Sequence, residues 1–383
     1  MPRLPISNAT ATVLTLDGRD VVTFGGCNYL GLSFHPDVQA AMVRGLKQFG
    51  ISTSASRQTT GNTTAHDQLE AALRQFLKAP DAIVVPDGYT ANLATAQALA
   101  LTHHSAVVDA RCHRSIREAI AGSGMKLFEF EHRNAKDAAA RLGSAGERAS
   151  LWTDGVFAAD GLVAPIPDLL IAARKAGATL IVDDCHGFCT LGDGGRGTLS
   201  HYGVPSPLPR DVVITTTLAK GLGCHGGVVC GTAELIQSIR SGSTAYVCTT
   251  PTSPAIVAAA LEAISVLQRE PARLDRLRAN ASRLLRGLKS LGIQTRESPT
   301  PIFAFTLGTR PQMEQVHNQL LDRGFLAPLI DYPDGPAPCY FRLSVTSEHS
   351  YEQIDGLISV ATESLREMRP PISLQPELSS ASG

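Results

Sequence analysis

Between residues 80 and 250 the chain repeats one pattern, a short apolar run followed by a helical stretch, and this repetition limits the fold more than any other feature. The runs are Ala82–Val85, Ala106–Asp109, Leu127–Phe130, Leu151–Thr153, Thr179–Asp183, Val212–Thr216 and Val228–Cys230. They are short and strongly apolar, as strands are when both sheet faces are covered. Helical patterns lie between several of them, at Asn92–Leu101, Ile116–Ala121, Ala135–Leu142 and Pro167–Ala176. A helix that returns the chain to the same end of the sheet makes the next strand parallel to the last. The pattern therefore predicts an α/β fold, a mostly parallel seven-stranded sheet sandwiched by helices.

After Pro254 the texture changes. Ala255–Gln268 and Arg273–Leu291 read as long helices separated by Pro271. Ile302–Leu307, Phe325–Ile330 and Tyr340–Val345 read as strands, with a helix at Gln312–Arg323 and a last amphipathic helix at Tyr351–Met368. The division expected is an N-terminal segment (1–40), a large domain (41–270), a smaller α+β C-terminal domain (271–369), and a tail (370–383) whose Pro and Ser content predicts disorder. No internal repeat is visible.

Lys plus Arg number 34 against 35 Asp plus Glu, a formal net charge of −1. That balance gives no support to a nucleic-acid partner. No apolar run approaches the roughly 20 residues of a membrane span. Met1 to Thr12 contains no apolar signal core. The eight cysteines are scattered and form no CxxC pair, which reads as a reduced, cytoplasmic protein. Cys185 and Cys189 flank His186, but the further ligands of a structural zinc site are missing. Of two G-x-G-x-x-G matches, Gly192–Gly197 lies in a polar loop with no strand leading straight into it, and Gly221–Gly226 lacks the acidic residue about 20 positions on that a dinucleotide site needs.

Three segments carry chemistry. Thr179-Leu-Ile-Val-Asp-Asp-Cys-His186 ends an apolar strand in two carboxylates and an imidazole. Ligands of open α/β sheets bind at that end of the strands, although a plain turn has the same composition. Lys220 follows another strand in a run without other charges, flanked by Ala219 and Gly221. A desolvated amine there suits Schiff-base chemistry, while a solvated loop lysine is the plain alternative. Asp87-Gly-Tyr-Thr-Ala-Asn92 joins a strand to a helix, where backbone N–H groups can face an anion or simply make a turn. Lysine, acid and anion donors together match the needs of pyridoxal 5′-phosphate (PLP).

The chain resembles the α-oxoamine synthase family of fold-type I PLP enzymes from about Asn28 to Leu365. The resemblance rests on Asn28-Tyr-Leu-Gly-Leu with His35-Pro, Ser56-Arg-Gln-Thr-Thr-Gly-Asn62 with His66 and Glu70, Thr153-Asp-Gly-Val-Phe157 with Asp160-Gly, Asp183-Asp-Cys-His186 with Gly192–Gly197, and Thr217-Leu-Ala-Lys220-Gly-Leu-Gly-Cys-His-Gly-Gly227. It implies that Lys220 binds PLP covalently, that Asp183 pairs with the pyridinium nitrogen and that His186 pairs with the ring hydroxyl. His113 would stack on the ring, although a capping role alone also fits that residue. Gly88, Tyr89 and Thr217 would hold the phosphate. Thr250 would reach it from the neighbouring subunit of a homodimer with shared active sites. Arg342 would hold the amino-acid carboxylate, and Asn28 would lie at the substrate edge. No metal is implied.

The activity implied is condensation of a small amino acid with an acyl thioester of coenzyme A or acyl carrier protein, with loss of CO₂. The segments are most similar to the branch that acylates alanine with a pimeloyl thioester in biotin synthesis. Sister enzymes acting on glycine or serine, and aminotransferases of the same fold, are the alternatives. A non-catalytic partner subunit would not need Lys220, Asp183 and His186 together. Ala158, Cys185, Ala219 and Tyr340 depart from the family's usual residues, as does the segment Ile330–Cys339, which falls where the acyl partner binds.

Overall fold

The computed structural model describes residues 5–332 and 335–368, so the tail at 370–383 lies outside the described residues. The chain divides into two compact units. One is His35–Phe157 with Val163–Pro271; the other comprises the chain up to Phe34, Ala158–Leu162, and the chain from Ala272 on.

The first unit is built on a seven-stranded sheet. Its spatial order is Asp81–Val85, Gly227–Gly231, Val212–Thr217, Thr179–Asp183, Ala149–Asp154, Ser105–Asp109, Lys126–Phe130. Gly227–Gly231 is antiparallel to both neighbours and all other pairings are parallel. In the parallel registers Val108, Trp152, Ile181 and Val213 stand side by side across four strands. This row packs with Ala91 and Ala94 of the helix Gly88–Leu99, and Ile116 and Ile120 of the helix Arg114–Ser123, in one buried cluster. Each large side chain buried there contributes about 1.5–3 kcal/mol. The apolar runs are thus strands because both of their faces meet helices. The helix Gly88–Leu99 begins earlier than its apolar pattern suggests. Asp87 caps it, accepting from the Thr90 N–H at 2.7 Å, so the segment expected to be a turn is the helix's first turn.

The second unit contains a meander, Ile6–Ala9, Val13–Leu16 and Arg19–Thr23, extended in parallel by Phe325–Leu326. A three-stranded antiparallel sheet follows the order Ile302–Phe305, Tyr340–Ser344, Leu329–Ile330. The helices Ala272–Ser290, Arg310–Asp322 and Tyr351–Glu367 complete it. Leu284, Phe303, Phe305, Val316, Phe341 and Leu357 share its core. The run expected as one strand over Phe325–Ile330 is two short strands in two different sheets. Pro328 lies between them and has no N–H to give a ladder. Its ring fills the space where a side chain on residue 25 would stand, which explains glycine at that position.

Candidate active site

Three adjacent parallel strands, Ser105–Asp109, Ala149–Asp154 and Thr179–Asp183, each end in an aspartate that is at least nine-tenths buried. His113, His186 and Lys220 follow shortly after strands of the same sheet, so the fold gathers them at its carboxyl edge. Lys220 Nζ lies 2.8 Å from His186 Nε2. Among the described residues no carboxylate comes within ion-pair distance of that amine.

Asp183 is buried yet fully engaged. Its Oδ1 accepts from the Cys185 N–H at 3.1 Å and its Oδ2 from Asn92 Nδ2 at 2.7 Å. Burial and then the charge of Asp183 push the Cys185 thiol up, so it stays protonated beside the carboxylate. Burial pushes Asp154 up as well, with the charge of Asp183 adding to it. Asp154 Oδ1 accepts from the His113 N–H at 3.1 Å. The His113 imidazole caps the helix Arg114–Ser123, with Nδ1 2.7 Å from Ser115 Oγ. Burial lowers its pKa, and Lys220 lowers it further against the opposing pull of Asp183.

The neighbouring carboxylate, Asp184, faces elsewhere. It accepts from the Thr198 hydroxyl and, at 2.8 Å, from the Thr198 N–H. Gly187 and Gly197 close around it, and a Cβ on either would run into the carboxylate. The last glycine of the stretch Gly192–Gly197 therefore packs against a buried side chain. Burial raises Asp184 to about 7 against the opposing effect of the Thr198 donors.

At the N-terminus of Gly88–Leu99 the first N–H groups, those of Gly88 and Tyr89, precede any intrahelical partner. A Cβ on Gly88 would come within 3.1 Å of Thr217 Cβ and 3.3 Å of Cys185 Sγ, so the three form one cradle. The Thr217 hydroxyl donates to the Gly226 carbonyl at 2.9 Å and accepts from the Ala219 N–H at 3.1 Å. Thr250 is exposed.

The second unit holds Asn28 and Arg342. Arg342 Nε donates to the Ala158 carbonyl at 2.6 Å, and its guanidinium also meets Tyr29 and Cys27. Among the described residues the buried Asn28 Oδ1 has no hydrogen-bond partner. Sequence reasoning overlooked Asn92, Ser115 and Asp154. An amide one turn into the apolar helix Gly88–Leu99 is the signal that could have found Asn92.

Residues 19–360 match the profile of "Aminotransferase class I and II". The chain belongs to that family. Within the family it is similar to the 8-amino-7-oxononanoate synthase of Methylococcus capsulatus, 36% identical over 92% of each chain. The synthase of Pseudomonas paraeruginosa is 34% identical over 95% of this chain and 90% of its own. Among solved structures, Sphingomonas wittichii serine palmitoyltransferase superposes with a TM-score of 0.89 at 29% identity, covering 95% of this chain and 92% of its own. An 8-amino-7-oxononanoate synthase from Francisella tularensis shares the fold, with a TM-score of 0.76 at 23% identity over 90% and 98% of the two chains. This family member is a PLP-dependent acyltransferase of fold type I. The residues present fit PLP: an amine without a carboxylate partner, a buried carboxylate at the same sheet edge, and a helix N-terminus beside a cradle that only glycine leaves open.

Proposed function

We propose that the protein joins L-alanine to a pimeloyl thioester, of coenzyme A or acyl carrier protein, in the cytoplasm. The new C–C bond forms as the carrier thiol and CO₂ leave, and the product is 8-amino-7-oxononanoate of biotin synthesis. Support for the chemistry comes chiefly from the Lys220–His186 contact at the sheet edge that carries buried Asp183. Support for the substrates comes from the name of the relatives.

Bound PLP supplies an electron sink that weakens the bonds at the amino acid's Cα. In this reading Lys220 would hold the cofactor covalently, and its amine would serve as the base for the substrate's Cα proton. Asp183 keeps the ring nitrogen protonated, His186 meets the ring hydroxyl, and His113 covers the ring face. The N–H groups of Gly88 and Tyr89 hold the phosphate together with Thr217. Arg342 would hold the substrate carboxylate through its guanidinium, which also meets Tyr29 and Cys27 while Nε stays on Ala158, and Asn28 would lie at the substrate edge.

The protein acts as a homodimer with shared sites, in which Thr250 serves the partner's phosphate. Exposed Met42, Val43, Leu46 and Ile51, on and just after the helix Pro36–Phe49, support a second copy covering this face. The eight free cysteines suit a reducing compartment. No helix among the described residues is long and apolar enough to cross a membrane.

A second reading, acylation of serine or glycine, is favoured by the likeness to serine palmitoyltransferase. Purified protein offered alanine, glycine and serine with a panel of thioesters, products read by mass, separates the two. Alanine with pimeloyl thioester should give the product and a biotin auxotroph should be rescued. Turnover of serine or glycine alone moves the protein to the sister reaction, and amino-group exchange with oxo acids alone makes it an aminotransferase.

A further inference from the structure

Asn92 is fully buried and spends its whole amide on three side chains. Nδ2 donates to Asp183 Oδ2 at 2.7 Å and to Ser115 Oγ at 2.9 Å, and Oδ1 accepts from Thr215 Oγ1 at 2.7 Å. An ionised carboxylate only accepts, so the amide nitrogen must face Asp183 and the orientation is fixed. Ser115 Oγ, already accepting from Asn92, directs its own proton to His113 Nδ1 at 2.7 Å. The Ser115 N–H points at the same nitrogen, 3.3 Å away. Nδ1 is therefore an acceptor and the imidazole proton sits on Nε2. One unbroken chain runs from Asp183 through Asn92 and Ser115 to His113.

We propose that Asn92 and Ser115 are positioning residues that couple the acid facing the cofactor's nitrogen to the imidazole covering its ring. This rests on the roles given above to Asp183 and His113. Cofactor chemistry needs both groups in one protonation form at once, and the chain holds both through a single amide. Thr215, the register partner of Asp183 on the next strand, anchors the amide's other end. His113 is faced by Asp154 from strand Ala149–Asp154, by Asp183, and by Lys220. These three stay in place when Ser115 is changed. Loss of its hydroxyl removes a donor that favours the neutral imidazole, so the His113 midpoint moves up.

The test uses PLP-loaded protein with ¹⁵N-labelled histidine, following the visible band of the bound cofactor and the His113 signal against pH. Ser115→Ala should raise the His113 midpoint by about half a pH unit or more and leave the band in place. Asn92→Ala should move both. Asp183→Asn is the reference for the band. If the midpoint in Ser115→Ala equals the parent's, the proposal is overturned, and that variant decides even where Asn92→Ala does not fold. A folded Asn92→Ala with a parental band and midpoint also overturns it, provided Asp183→Asn shifts the band. Should Asp183→Asn leave the band unmoved, the role given to Asp183 fails, while the His113 midpoint still decides the chain to the imidazole.

Discussion

Two adjacent carboxylates, Asp183 and Asp184, look equivalent in sequence and differ entirely in their partners. Asp183 meets Asn92 at the sheet's carboxyl edge, whereas Asp184 is enclosed by Thr198 and two glycines. Asp183→Asn should lower kcat by about 10²–10³ or more, because in the proposed reading it removes a charge facing the cofactor, and it also turns a buried acceptor toward Asn92 or Cys185 into a donor. Asp184→Asn should cost stability by about 1–3 kcal/mol for the same reason but leave turnover in the folded fraction near the parent's. Steady-state kinetics beside thermal melts would show whether the two assignments are exchanged. Arg342→Lys keeps the charge and loses both the fork and the Nε bond to Ala158. Amino-acid binding should weaken by about 1.5–3 kcal/mol while the bound cofactor's spectrum stays as it was. An unchanged KM for the amino acid would remove Arg342 from the carboxylate site.

At the scale of elements, legibility followed burial. The inner sheet strands were readable because both faces are covered and their runs are apolar, while the edge strand Lys126–Phe130 is half exposed. The meander Ile6–Ala9, Val13–Leu16 and Arg19–Thr23 was not, because its strands are short and half exposed. One signal was present and unread: Asp17-Gly18 between Leu16 and Arg19, both with positive φ, is a two-residue hairpin turn. Phe325–Ile330 was misread as continuous because a proline's effect depends on what its neighbours pair with. In the active site Lys220, Asp183 and His186 stood out in sequence, but Asn92 did not, since its partners come from three other elements. Gly192–Gly197 matched a glycine pattern but no dinucleotide site, and its last glycine packs against Asp184. Gly197 has φ +93°, and a Cβ there would strike the carboxylate, so Gly197→Ala should cost about 2 kcal/mol or more of stability in urea melts. A loss within a few tenths would mean that the loop adapts.

For the whole molecule, His66 in one unit and His349 in the other are deeply buried and each bonds a backbone carbonyl. His66 donates from Nε2 to the Thr252 carbonyl at 2.9 Å, and His349 donates from Nε2 to the Thr23 carbonyl at 2.9 Å. Burial lowers both to about 4, with the charge of Arg57 adding to the effect at His66. Unfolded histidines take up protons near pH 6.5, so as pH falls below that value the unfolded chain binds more protons than the folded one. Their contribution is fully present above about pH 6.5 and disappears as pH falls through 4, on the order of 3 kcal/mol for each residue. Denaturant midpoints should fall steeply between pH 7 and 4, and His66→Gln or His349→Gln should flatten that slope; equal slopes in parent and variants would refute the assignment. The second unit also has an order of assembly written into it. Arg19–Thr23 takes Phe325–Leu326 as its parallel neighbour, so a strand near one end of the chain is completed by residues made some 300 positions later. On the ribosome every segment of the seven-stranded sheet emerges while that edge is still bare. A nascent chain of this protein thus carries an open strand edge through most of its synthesis, a natural point of hold for a chaperone and of mispairing when translation stalls.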